Sequence, residues 1–146
     1  MDRSALAIKY AMSPAATLTP SERSAFIGWL DLAYQQIADR VLITADELSP
    51  EDFLRQYKLD GSLLVTSANS AHPFWTVAEN VRFRAVHDWH HILTGRRFDW
   101  AGELATYDYA CATAPTMIHW ILRSEIAMQA AYAIETGNFA PQKLVR

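Results

Sequence analysis

Three histidines stand within five residues in the run Phe83-Arg84-Ala85-Val86-His87-Asp88-Trp89-His90-His91. On a helix, His87 and His91 are four residues apart and share one face about a turn apart. Two imidazole nitrogens at that spacing can reach a single divalent ion. His90 is close enough to serve as an alternative ligand or as a donor to one, and Asp88 sits beside His87. Either group could orient a ligand or move protons. Two carboxylates further along extend the set. Glu103 follows Gly102 near a helix start, where the helix dipole alone would favour a negative charge. Glu125 interrupts the apolar stripe Ile118, Ile121, Leu122, Gln129, Tyr132. An isolated buried charge costs several kcal/mol, so Glu125 must be paired, protonated or bound to a metal. Arg82, Arg84 and Arg123 are candidate partners, and Gln129 is a neutral one. The candidate metal ligands are therefore His87, His91, Glu103 and Glu125, with Asp88 and His90 as candidate catalytic groups.

Oxygen and imidazole ligands without thiolate suit Zn, Fe or Mn. The Glu-x-x-His repeats of a di-iron bundle are missing, so the expected site is mononuclear or an incomplete dinuclear one. Histidine pairs on amphipathic helices are also common as half-buried polar residues that hold no metal. Other residues carry weaker signals. His72 precedes Pro73 and reads as an exposed loop residue, His119 as peripheral, and Cys111 as a packing group. There is no Gly-rich phosphate loop and no Gly-x-Ser-x-Gly elbow.

The elements that position these residues begin at legible caps. Thr19-Pro20-Ser21-Glu22 is a capping box with proline at the first helical position. Behind it, Phe26, Leu30, Ala33, Ile37 and Val41 recur every three or four residues. Ser49-Pro50-Glu51-Asp52 opens a short helical turn around Phe53, Leu54 and Tyr57, which Asp60-Gly61 ends. Residues 62–75 read as a loop lying on the core, because Leu63-Leu64-Val65-Thr66 has no strand partner elsewhere. Thr76 to Glu79 caps the histidine-bearing helix, and Gly95 stops it. A further helix is expected from about Asp99 to Ala114, and a last one from Pro115 to Gly137. The expected fold is all-α: a single-domain bundle of about four long helices plus short helical turns, spanning 19–146 behind an N-terminal arm, 1–18.

Composition narrows the classes. A chain of 146 residues that is 51% apolar is long enough for one core and too apolar for disorder. A net charge of −3 gives nucleic acid no electrostatic attraction, and Arg82, Arg84, Arg96 and Arg97 are explained as solvated positions. The single cysteine excludes an intramolecular disulfide. No signal peptide and no uninterrupted apolar span is read, so a cytoplasmic protein without a membrane segment is expected. Five tryptophans fit either the core or a contact between copies of the chain.

The segment FRAVHDWHH, followed by Gly95, Phe98, the pair Gly102-Glu103 and LRSEIAMQ, resembles a family of small phage-encoded helical proteins. The resemblance covers roughly residues 80–130. This chain is one residue shorter than the family between Asp88 and the second histidine, which leaves His90 and His91 alternatives for that place. The resemblance implies that His87, Asp88, His91, Glu103, Glu125 and Gln129 form one polar set. It also implies a phage or prophage origin, in the host cytoplasm or the virion, and names no reaction. Two functions follow as expectations. One is a metal-dependent hydrolase acting on a small molecule. The other is a non-enzymatic virion component or inhibitor of a host factor, in which the polar cluster is structural.

Overall fold

The computed structural model describes all residues, Met1–Arg146. The chain is mainly helical, at 64% helix. Helix α1 spans Arg3–Met12, α2 Pro20–Gln35, α3 Pro50–Asp60, α4 Val77–Thr94 and α5 Trp100–Thr113. A last rod runs from α6 (His119–Leu122) through a π-helical segment (Arg123–Met128) into α7 (Gln129–Thr136). Capping boxes close on Thr19/Glu22, Ser49/Asp52 and Thr76/Glu79, so three helix starts lie where side chains can satisfy the free amides.

The fold departs from an all-α bundle in one place. Val41–Thr44 (β1) and Leu63–Thr66 (β2) pair in parallel, with Val41 opposite Leu63 and Thr44 opposite Thr66. Parallel strands need a crossover, and α3 supplies it. The expected loop at Leu63–Thr66 is therefore a strand. Its partner was hidden because Ile37 and Val41 continue the apolar period of α2. That helix actually stops at Gln35, with no glycine or proline to mark the end. The segment read as an arm holds α1, capped by the Asp2 carboxylate on the Ala5 amide and packed along α7, with Tyr10 and Tyr132 rings 5.8 Å apart.

The core lies between α2, β2, α4, α5 and α6, around Phe26, Leu30, Leu63, Val65 and Ile121. Phe26 stacks on Trp75 at 4.2 Å between ring centroids. The C-terminal segment closes one end: Leu144 and Val145 are buried, and the Val145 amide donates to Ser124 Oγ. No helix is long and apolar enough to cross a membrane.

Candidate metal centre

His87 and His91 project from α4 toward Glu103 on the first turn of α5, and each ring meets a different oxygen of that carboxylate. His87 Nε2 lies 3.1 Å from Glu103 Oε2, His91 Nε2 lies 3.3 Å from Glu103 Oε1, and the two Nε2 atoms are 3.1 Å apart. An ion held tetrahedrally at 2.0–2.1 Å from each ligand separates its ligands by about 3.4 Å. Each of the three contacts is within a few tenths of an ångström of that separation, and one ligand atom from each residue lies within 4.8 Å of the others.

Protonation makes the same point. His91 Nδ1 lies 2.7 Å from the Arg97 carbonyl oxygen, an acceptor, so Nδ1 carries the proton and Nε2 of the neutral ring holds a lone pair. The nitrogen–nitrogen contact tolerates at most one proton, and Glu103 brings none when ionised. Without an ion His87 Nε2 carries that one proton, between Glu103 and the His91 lone pair, and a cation that displaced it would meet lone pairs from all three side chains. A carbonyl orienting the far nitrogen of a ligating histidine is also the usual outer support of such a site.

The backbone explains how Arg97 reaches that nitrogen. Gly95 (φ 123°) and Arg96 (φ 63°) turn the chain sharply after α4, and the Gly95 amide closes on the His91 carbonyl. A left-handed arginine is uncommon, and two successive positive φ values bring the chain back over the helix it has just left. Arg97 then packs against the start of α5. A Cβ built on Gly102 would lie 1.9 Å from the Arg97 carbonyl oxygen, so only glycine permits this approach. Asp99 caps α5 by accepting from the Gly102 amide, which sets Glu103 on the first turn.

Electrostatics follow from this geometry. Burial would raise the Glu103 carboxyl, but the charges and hydrogen bonds of His87 and His91 outweigh it and bring the group down to about 2. Burial opposes a charge on His87, yet Glu103 and Asp88 overcome it and raise the ring above its ordinary value. Asp88 is half-buried beside His87. Burial takes its carboxyl up to about 6, against the downward pull of His87, His91 and Arg84. His87 Nδ1 is buried with no hydrogen-bond partner.

The remaining candidates separate. Glu125 is not one of the three converging ligands. It lies in the π-helical segment on the wall of a cavity of about 320 Å³ that His87 and Glu103 also line. Its Oε1 accepts from Gln129 Nε2 at 3.0 Å and from His72 Nε2 at 3.1 Å. None of the three arginines considered for it makes the pair. Arg82 reaches Asp31, and Arg84 donates to the Thr66, Ala68 and Asn69 carbonyls, pinning the chain after β2 to α4. His72, expected in solvent, is fully enclosed and stacks on Trp75. A histidine before a proline carries no signal of burial, and the pairing spans 53 residues of sequence. His90, expected beside the ligands, instead faces away, into the contact of α4 with Trp29 and Tyr109. Burial, then the charges of His87 and His91, lower it to about 4. His90 is a neutral core residue, and the second histidine of the cluster is His91.

No protein-family model, curated protein or solved structure matches this chain.

Proposed function

We propose that the protein is a metal-dependent hydrolase whose ion is held by His87 Nε2, His91 Nε2 and Glu103. The observation that carries this reading is the convergence of the two Nε2 atoms and the two Glu103 oxygens, with contacts of 3.1, 3.1 and 3.3 Å. Two imidazoles and one carboxylate leave a fourth position open, the ligand set of catalytic rather than structural zinc. Iron(II) or manganese would accept the same donors. His87 lines both the 320 Å³ cavity, together with Glu103, and a second one of about 210 Å³, together with Asp88.

An ion held by these three residues would acidify a bound water. Asp88 follows the first histidine, where helical His-Glu-x-x-His sites place their general base, and its raised pKa suits a base working near neutrality. In the proposed step Asp88 accepts one proton as the water oxygen bonds to a substrate carbonyl carbon. Asp88 then returns that proton to the leaving nitrogen or oxygen as its bond to that carbon breaks. Hydrolysis consumes one water and needs no other reactant.

The test is steady-state hydrolysis of p-nitrophenyl esters and amino-acid p-nitroanilides by protein loaded with zinc. Asp88→Asn should retain zinc and lose 10²–10⁴-fold in kcat/KM, the usual contribution of general-base catalysis. No zinc-dependent acceleration with any substrate overturns the hydrolytic reading, and an undiminished Asp88→Asn overturns the role of that residue. A non-enzymatic role has its own support, because contacts of 3.1–3.3 Å are also hydrogen-bond lengths. On that reading the cluster is a packing network, and Glu103→Gln retains folding and partner binding.

A further inference from the structure

Glu125 poses a problem that the metal centre does not solve. Its side chain is only 4% exposed, yet its sole ion-pair contact is His72. The Phe74 amide donates to His72 Nδ1 at 3.1 Å. Nδ1 is therefore unprotonated, and Nε2–H is the donor to Glu125 Oε1. His72 in this tautomer is neutral. Gln129 is neutral as well, and both bonds fall on Oε1, leaving Oε2 with no hydrogen bond from the protein. The one guanidinium on the same cavity wall, Arg84, is occupied by carbonyl oxygens. A buried carboxylate held by neutral donors, with one oxygen open on a cavity, is matched by a cation with hydrogens to give.

A second metal ion is the weaker fit. His72 presents an N–H at Nε2, the reverse of His91, whose far nitrogen donates to Arg97 and leaves a lone pair. The rest of the cavity is apolar on one side, with Phe83, Ile126, Ala130, Ala133 and the outward-facing Phe139.

We propose that Glu125, positioned by His72 and Gln129, receives the ammonium group of the substrate, which is the amino-terminal residue of a peptide or an amino-acid amide with an apolar side chain. The receptor rests on Glu125 and its neighbours. The naming of a carbonyl-bearing substrate rests on the hydrolytic reading above.

Calorimetric titration of metal-free protein at pH 6.5 with leucinamide, and with 4-methylpentanamide as the analogue without the amine, separates the two claims. Leucinamide should bind one to one and at least tenfold more tightly than the neutral amide, and Glu125→Gln should erase the difference. Equal binding of the two amides to the wild type overturns the proposal, as does no saturable binding of leucinamide. A second tightly held equivalent of zinc, lost in Glu125→Gln, overturns it in favour of a metal ion. If Glu125→Gln does not fold, the comparison of the two amides on the wild type decides alone. Failure to load zinc leaves this result standing, and failure here leaves the metal centre standing.

Discussion

At the scale of single residues, three neighbours on one helix are put to different uses by what surrounds them. His91 keeps a lone pair on Nε2 because its Nδ1–H donates to the Arg97 carbonyl, Asp88 is raised toward neutrality by burial, and His90 is kept neutral by the core. The last two effects have opposite consequences for stability. The folded-state pKa of His90, about 4, is below its unfolded value, so stability is lost as pH falls from about 6.5 toward 4. Chemical denaturation of metal-free His90→Phe should show a fall between pH 7.5 and 5 smaller than the wild type's by about 2 kcal/mol. Asp88 is raised instead, so its contribution is present at low pH and lost as pH rises through about 6. Metal-free Asp88→Asn should be more stable than the wild type by about 1–2 kcal/mol at pH 7.5, discounted for its half-exposed position, with the gain gone by pH 4. The pairing of His87 with His91 was legible from spacing alone, and Glu103 and Glu125 from their places in helical patterns. The roles of His90 and His72 were not. Helical spacing says which residues share a face, but only the packed neighbours say what that face meets.

At the scale of elements, the site depends on how α4 is joined to α5. The turn through Gly95 and Arg96 and the bare Cα of Gly102 together deliver the Arg97 carbonyl to His91. Gly102→Ala should displace that carbonyl and weaken zinc binding about 10- to 100-fold, the usual cost of losing an outer hydrogen bond, without touching a ligand. Competition with a chromogenic chelator measures it, and unchanged affinity would remove Arg97 from the account. Arg84 plays the equivalent part between β2 and α4. Arg84→Met should cost about 2–3 kcal/mol by denaturant titration, with faster amide exchange confined to residues 66–70. Helix starts could be read from the sequence because caps are local chemistry. The two strands could not, because each four-residue segment gains its meaning from a partner 22 positions away across α3. The π-helical turn carrying Glu125 was equally hidden, since an α-period pattern passes through it unbroken.

At the scale of the whole molecule, the cavity is assembled from distant parts of the chain: α4, the first turn of α5, the last helical rod and the segment around Phe139 to Gln142. The C-terminal residues tie the end of the chain to the segment before α2 and to its first turn. The Leu144 carbonyl accepts from the Ala16 amide, and Arg146 forms a forked pair with Glu22 at 2.9 and 3.0 Å. Leu144→Ala should therefore cost about 2–5 kcal/mol of global stability in a thermal or denaturant melt. A ligand that binds only the folded state adds to stability by mass action, so a resident ion should also raise the melting temperature. The central claim is that one ion sits among His87, His91 and Glu103. Equilibrium dialysis of untagged protein against zinc, iron(II) and manganese, followed by metal analysis, tests it most directly. Close to one equivalent of a single metal per chain should bind, with affinity reduced at least about 100-fold in both His91→Ala and Glu103→Gln. Less than a tenth of an equivalent of every metal, or undiminished binding in those two variants, would contradict it.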